Sequence, residues 1–336
     1  MNDCKALARA ITLASSVVGQ TAPNPPVGAV CVKHGQIIGE GAHLKAGTPH
    51  AEVHALNNCS EDPSGATLYV TLEPCSTTGK TPPCCDYIQA KRIQRVVIGC
   101  LDPNPKHAGR GVDILRAAGI HVDLIDGPQN ETCKTLIAPF VKAITQQRPY
   151  LRLKLAMTLD GYIADATASS RWITGEKARA WVQEMRSKVD AIMVGSGTVH
   201  NDHPSLQPHL PNAPQKYRIL VDRKTPIDPR DRDDKTLIAT QDLGYDGNDL
   251  DALLKAICQR GINDILCEGG GQLAGALLDQ DCVDELYLFY APKILGDKNA
   301  YPGLAIPPRK LNQALQFQHI ETQTFGEDTL IHLRIK

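Results

Sequence analysis

Gly47-Thr48-Pro49-His50-Ala51-Glu52-Val53-His54, followed by Thr71-Leu72-Glu73-Pro74-Cys75 and then by Pro82-Pro83-Cys84-Cys85, is the part of this chain whose reading decides its fold. From Pro49 to about Asn57 the residues have helical spacing, with His50, Val53, His54 and Asn57 on one side. Ala66 to Leu72 reads as a strand that ends at Glu73-Pro74-Cys75, and Pro82 to Ala90 suits a helix, since proline is tolerated in a first helical turn. An imidazole therefore stands at a helix start, and two thiols flank one short loop. Zinc accepts imidazole nitrogen and thiolate sulfur in a tetrahedral shell, and a catalytic site takes three of those ligands from the protein. His50, Cys75 and Cys84 supply the three, and the helix starts favour the deprotonated thiol. Zinc acidifies water, and Glu52, two residues past the histidine and not needed as a ligand, can move protons to a ring nitrogen and a departing amine. A zinc-dependent deaminase is expected. Taken singly, the histidine would pass for an ordinary polar residue and the cysteines for small buried hydrophobes. Their order and placement favour the metal. Cys85 points elsewhere if Cys84 faces the ion, and His54 is either an outer partner of the site or a packing residue.

Outward from this stretch the elements alternate. Residues 3 to 18 carry Leu7, Ala10, Ile11 and Ala14 at helical spacing, and Gly19 with Pro23-Asn24-Pro25-Pro26 forces a loop into a strand, Val27 to Val32. His34-Gly35 reads as a turn into an antiparallel strand at Ile37 to Gly39. Val96 to Gly99, Gly109 to Ala118 and Ile120 to Asp123 read as strand, helix and strand, which together indicate an α/β sandwich. One helix is expected over residues 131 to 145. The amide of Asn24, in the rigid loop, could read a pyrimidine edge or simply support an Asx turn.

The length of 336 residues accommodates two domains, and the polar run Gln146-Gln147-Arg148-Pro149 places the boundary near 145 to 149. The expected domains are 1–145 and 149–336. With 36 Lys plus Arg against 37 Asp plus Glu, the formal charge of -1 offers no global field for nucleic acid and favours small substrates. No run approaches the roughly 20 apolar residues of a membrane span. Eleven irregularly spaced cysteines and a start without a signal-peptide pattern fit a reducing cytoplasm.

In the second half, strands are expected at Tyr150 to Ala156, Asp190 to Gly195, Arg218 to Asp222, Lys235 to Thr240 and Ile265 to Glu268. Helices are expected up to Ser187, before Gly261 and after Gly271. Val194-Gly195-Ser196-Gly197-Thr198 and Glu268-Gly269-Gly270-Gly271 each follow a strand, and such turns can cradle phosphate with backbone N–H groups. Neither is a GxGxxG turn in a first βαβ unit, so a standard Rossmann fold is not indicated. Tight strand-to-helix packing is the alternative for each turn alone.

The stretches PNPPVGAV, GTPHAEVHAL, TLEPCSTTGKTPPCC and DPNPKHAGRG, between Pro23 and Arg110, resemble the bifunctional deaminase/reductase family of riboflavin biosynthesis. The resemblance spans nearly the whole chain. It implies a cytidine-deaminase-like three-layer α/β/α domain that removes the ring amine of a diamino-hydroxy-phosphoribosylamino-pyrimidine, followed by a dihydrofolate-reductase-like α/β domain that reduces the ribosylamino side chain with NADPH. By resemblance His50, Cys75 and Cys84 hold Zn2+ and Glu52 shuttles protons. Met157, Trp172, Thr198, Asp202 and Gly269, Gly270 and Gly271 contact NADPH. Asn24, Ser170, Arg186, Leu206, His209 and Glu268 hold the phosphorylated substrate. Lys154 belongs to the same KLAxxLDG pattern and has a possible proton-transfer role. The resemblance also implies a homo-oligomer, and together with the near-neutral charge it disfavours a nucleic-acid partner; the lack of a long apolar run disfavours a membrane. Three departures stand out: Thr77 and Thr78 where the family often has histidines, Lys80 where it commonly has Arg, and His203 and His209 where it commonly has an acidic residue and Arg. A deaminase with a weakened reductase stays open as the alternative; a metal-stabilised scaffold or a nucleic-acid editor fits the residues less well.

Overall fold

The structure, a computed structural model, describes residues 1–77, 82–104, 108–222, 228 and 232–336, so Thr78 and Lys80 lie outside the described residues. The chain divides into two compact units, Met1–Gln147 and Arg148–Lys336.

The first unit runs α1 (Asp3–Ser16), β1 (Gly28–Lys33), β2 (Gln36–Ala42), α2 (Ala51–Asn57), β3 (Thr67–Leu72), α3 (Cys84–Ala90), β4 (Arg95–Cys100), α4 (Arg110–Ala117), β5 (His121–Leu124), α5 (Pro128–Leu136) and α6 (Ala138–Gln146). Its sheet has the order β2-β1-β3-β4-β5, antiparallel across β2, β1 and β3 and parallel from β3 to β5. The central strands are buried on both faces, which explains their unbroken apolar sequences. Val30, Val32, Tyr69 and Val97 pack under α1, whereas Ala29, Cys31, Val70, Val96 and Ile98 pack with Ala51, Ala55, Cys85 and Leu115 of α2, α3 and α4. This is the three-layer arrangement. α2 lies close on the sheet because β2 carries a glycine there: a Cβ on Gly41 would come within 2.4 Å of the Ala55 nitrogen.

Instead of the single helix expected over residues 131 to 145, the chain forms α5 and α6, with Ile137 outside helical geometry between them. Pro139 cannot donate to a continuing helix, so the second segment restarts with proline in its first turn.

The second unit runs β6 (Tyr150–Thr158), β7 (Tyr162–Ala164), α7 (Glu176–Lys188), β8 (Ala191–Gly195), α8 (Ser196–Asp202), β9 (Tyr217–Val221), β10 (Thr236–Ile238), α9 (Ala239–Asp242), α10 (Leu250–Gln259), β11 (Asp264–Cys267), α11 (Gly271–Asp279), β12 (Glu285–Ala291), β13 (Tyr301–Pro302), β14 (Phe317–Phe325) and β15 (Asp328–Ile335). Eight strands form one sheet in the order β10-β9-β8-β11-β6-β12-β15-β14. The first six are parallel, and the β14–β15 hairpin adds antiparallel strands beside β12. The strand expected at Lys235 to Thr240 is shorter, because the chain turns into α9 at Ala239, where the Asp222 carboxylate accepts from the Thr240 amide at 3.0 Å. The sequence reading assigns nothing to the last 50 or so residues; a register shift between His319 and Glu321 breaks the alternation of β14 that would have revealed it. Beneath the sheet face covered by α7, Trp181 packs against Tyr287, Phe289 and Phe325 with ring centroids 5.7, 5.5 and 5.9 Å away.

Candidate active sites

In the first unit, His50 caps the N-terminus of α2, Cys75 follows the exit of β3, and Cys84 is the first residue of α3. Three separate elements converge, and one donor atom from each of the three lies within 4.8 Å of the others. The Nδ1 of His50 is 3.2 Å from the Cys84 Sγ and 3.5 Å from the Cys75 Sγ, and the Cys84 amide donates to the Cys75 Sγ at 3.2 Å. One imidazole nitrogen and two sulfurs in this geometry are the donor set of a catalytic zinc, and the residues fit the ion. The hydrogen bond from Cys84, with further help from His50, lowers the Cys75 thiol well below its usual range, while the same bond and burial push Cys84 upward. Two sulfurs and an imidazole that share protons in this way are a site arranged to hold a cation in their place.

Glu52 is 3% exposed, one residue inside α2 and directly behind the ligands. Burial, and then the charge of Cys75, push its carboxyl up to about 7; a zinc ion would act in the opposite direction. Cys85 is a structural neighbour, its Sγ directed to the Pro74 and Gly111 carbonyls. His54 packs, its Nδ1 bonding the Ala42 carbonyl at 3.0 Å.

Asn24 does not use its side chain for an Asx turn. Its Nδ2 donates to Nε2 of His43 at 3.0 Å, and Nδ1 of His43 donates to the Pro49 carbonyl at 3.2 Å. The His43 ring in turn stands edge-on to His50, with centroids 5.2 Å apart. Burial keeps His43 below the usual imidazole range, which suits its neutral role as acceptor from Asn24. The sequence reading missed His43, because only the pairing of β1 with β2 brings residue 43 back beside Asn24 and His50. Thr77 is exposed just beyond the zinc loop.

In the second unit, a cavity of about 820 Å³ opens at the ends of β6, β8 and β11. Ser170, Trp172, Arg186, Thr198, Asp202, Leu206, His209, Glu268, Gly269 and Gly270 all line it, together with Lys154. Two of the expected contact residues do not. Met157 is 3% exposed and sits in the core beneath, and Gly271 is buried where a Cβ would strike the Pro302 carbonyl at 2.1 Å. Both shape the wall from behind.

The cavity's charges are organised around Glu268. Arg186 from α7 grips its carboxylate with two bonds, 2.6 and 3.0 Å long. Burial opposes ionisation of Glu268, but Arg186 and then Lys154 hold its carboxyl below the usual range. Burial lowers Lys154, whose ammonium faces the Phe289 ring at 5.9 Å. Trp172, 63% exposed, forms one rim with Arg179 stacked at 4.4 Å from its centroid. Lys293, which the sequence reading did not single out, pins this rim by donating to the Trp172 and Ile173 carbonyls at 2.7 and 2.8 Å. His209 is oriented by Ser205, 2.9 Å from its Nε2, and by the Gln183 side chain, which accepts from its amide at 2.9 Å.

A nicotinamide dinucleotide suits this cavity. β8 leads through Gly195 into α8, and β11 leads through Gly269 and Gly270 into α11, so the starts of two helices lie at a cavity lined by Thr198, Gly269 and Gly270, and helix starts suit the phosphates of a dinucleotide. A Cβ on Gly269 would lie 2.9 Å from Leu273, and one on Gly270 would lie 3.7 Å from the Thr198 hydroxyl, so a side chain at 269 would crowd the cradle.

Comparison with known proteins agrees with both sites. Residues 1–100 match the cytidine and deoxycytidylate deaminase zinc-binding region, and residues 149–331 match the RibD C-terminal domain. The chain is 41% identical to riboflavin biosynthesis protein RibD of Actinobacillus pleuropneumoniae, with 98% of this chain and 95% of that protein covered. It is 40% identical to RibD of Escherichia coli, with 99% of each covered. Among solved structures, Acinetobacter baumannii RibD superposes with a TM-score of 0.91 at 36% identity over 99% of each chain. A diaminohydroxyphosphoribosylaminopyrimidine deaminase/5-amino-6-(5-phosphoribosylamino)uracil reductase from Thermotoga maritima gives 0.89 at 36% identity, covering 99% of this chain and 98% of that one. With a zinc-type donor set in one unit, a dinucleotide-sized cavity in the other and this likeness along the full length, the chain belongs to the RibD family of riboflavin-biosynthesis deaminase/reductases.

Proposed function

We propose that the first unit hydrolytically deaminates 2,5-diamino-6-(5-phosphoribosylamino)pyrimidin-4(3H)-one and that the second reduces the resulting ribosylamino uracil phosphate to its ribitylamino form with NADPH. The observation that carries this reading is the presence, in one chain, of a His50–Cys75–Cys84 donor set backed by buried Glu52 and of a cavity holding Lys154, Arg186 and Glu268.

Zinc, held by His50, Cys75 and Cys84, supplies Lewis acidity that makes water a nucleophile at neutral pH. Glu52 takes the water proton and returns protons to the ring nitrogen and to the departing ammonia. Its seat one residue inside α2 keeps it beside the ligands without joining them. Asn24, fixed through His43, has its amide oxygen left to accept from the pyrimidine edge.

NADPH supplies hydride to the opened sugar, and the second unit's task is orientation. Trp172, Thr198, Asp202, Gly269 and Gly270 form the cofactor wall. Ser170, Arg186, Leu206, His209 and Glu268 hold the phosphosugar, with Glu268 keeping Arg186 in place. Lys154, its ammonium weakened by burial, is placed to give up a proton as the carbon is reduced. Met157 and Gly271 act indirectly, through packing.

No helix among the described residues is long and apolar enough to cross a membrane. Cysteines that form no disulfide among the described residues support a reducing, cytoplasmic setting, and self-association follows from the family resemblance; equilibrium sedimentation checks it. The functional test supplies the diaminopyrimidine phosphate to zinc-loaded protein and measures ammonia, NADPH oxidation and ribityl product. One equivalent of each is expected. Ammonia release without NADPH consumption would leave only the deaminase.

A further inference from the structure

Glu73 stands between the end of β3 and the zinc ligand Cys75, is 4% exposed, and forms no ion pair among the described residues. Among the described residues its carboxylate is bonded by backbone. Oε2 accepts from the amides of Asp102 at 3.1 Å and Gly109 at 3.0 Å, and Oε1 accepts from those of Gly111 at 2.8 Å and Val112 at 3.4 Å. Gly109 is the N-cap of α4 and offers no side chain to its first turn, so an acid from another element caps the helix. The same contact is close on its far side: a Cβ on Gly111 would lie 2.3 Å from the Pro74 carbonyl oxygen. That carbonyl and the one of Gly111 both face the Cys85 Sγ, next to the ligand Cys84.

From this arrangement we infer that Glu73 is a positioning residue for the metal centre, a latch that holds the Glu73-Pro74-Cys75 loop against the start of α4 and thereby fixes where the Cys75 sulfur lies. The physical reason is the geometry of the bonds. Four N–H groups from two segments converge on the two oxygens of one buried side chain, and the low-dielectric surroundings strengthen each bond. The Cα of Cys75 is two residues along a loop that contains Pro74, whose ring leaves little freedom between latch and ligand. A ligand so held loses little entropy when the ion binds. Glutamine at position 73 keeps the shape but has one oxygen; its NH2 group would face a pair of backbone donors, and one half of the latch would open.

The inference rests on the zinc reading of His50, Cys75 and Cys84, and the test separates the two. Zinc affinity of the full-length protein is measured by competition with a chromophoric chelator for wild type, Glu73→Gln and Glu73→Asp, alongside deaminase kinetics at saturating zinc and amide exchange at Asp102, Gly109, Gly111 and Val112. The expected result for Glu73→Gln is about a 10- to 100-fold weaker hold on zinc, the range seen when groups that orient ligands are lost. Excess zinc restores kcat, KM is unchanged, and exchange quickens at two of the four amides. Glu73→Asp keeps the charge but is one methylene too short to reach both pairs, so it falls between; it decides the matter if the glutamine variant does not fold. Zinc affinity within twofold of wild type in the folded variant, whatever its melting temperature, overturns the latch. A wild-type protein that does not bind zinc overturns the reading beneath it as well.

Discussion

The two units solve the same problem, holding a reactive group near a phosphorylated pyrimidine, by opposite means. In the first, chemistry is compressed into three donor atoms within 4.8 Å of one another, carried by two helix starts and a strand exit. In the second it is spread around about 820 Å³ and drawn from segments between Lys154 and Phe289. A compact metal site depends on a few irreplaceable atoms. A large cavity depends on many surfaces, each contributing modestly, and on the network that keeps them in register.

If that contrast holds, the largest single effect lies in the first unit. Glu52→Gln is expected to slow ammonia release by about 100- to 10,000-fold, since proton transfer by a positioned group contributes that much. NADPH oxidation with the deaminated intermediate supplied directly should be unchanged. Chelating the zinc should reproduce the same split, and loss of both rates together would break the comparison.

The next effect is on stability in the second unit. Arg186→Met takes the guanidinium away from Glu268 in a mostly buried position, where both side chains are under 15% exposed, 14% and 11%. The cost is about 3 kcal/mol, read as a lower melting temperature together with a loss of reductase activity. Deaminase rate below that temperature is the control.

Cofactor grip comes third. Trp172→Ala removes an exposed aromatic surface on which Arg179 stacks, so KM for NADPH should rise about tenfold, equivalent to about 1.4 kcal/mol. Lys293→Met, which frees the two carbonyls of that rim, should give a smaller rise with kcat little altered. Steady-state kinetics at varied NADPH distinguishes the two. Equal, large effects from both would mean that the cavity behaves as compactly as the zinc site.

The smallest effect sharpens the contrast from the surface. Hydrogen bonds from Arg95 and Tyr69 lower the Asp3 carboxyl to about 2. Its contribution to stability is present above the unfolded value of 3.8 and is lost as pH falls through about 2. Asp3 is 40% exposed and solvent screens the pair, so Asp3→Asn should cost under about 1 kcal/mol at pH 7. The difference between variant and wild type should shrink in acid unfolding curves between pH 4 and about 2. A difference that grows instead would reverse the sign of the argument.

How much of each site could be read in advance follows the same division. His50, Glu52, Cys75 and Cys84 were legible because their side chains are chemically scarce and sit at fixed positions on local elements, a helix start and a strand exit. Glu73 lay in the same stretch, yet its role was hidden: its four partners are backbone amides of residues 102 to 112, and backbone leaves no trace in composition. The C-terminal hairpin escapes notice because its edge strand is irregular, and the break between α5 and α6 because helical spacing continues on both sides of Pro139, which stands in the first turn of α6. Arg186 is legible only through the resemblance, because its grip on Glu268 joins residues 82 apart in the chain.

The sequence by itself determined the zinc chemistry, the alternation of strands and helices in both halves and membership of a family, because ligand identity and hydrophobic period are local properties of the chain. Only the tertiary structure decided that Asn24 is aimed by His43, that Met157 and Gly271 stand behind the cavity wall, that Arg186 is committed to Glu268, and that Lys293 braces Trp172. Those relations join residues far apart in the chain through bonds a few ångströms long, and contacts of that kind exist only once the sheets have formed and brought their ends together.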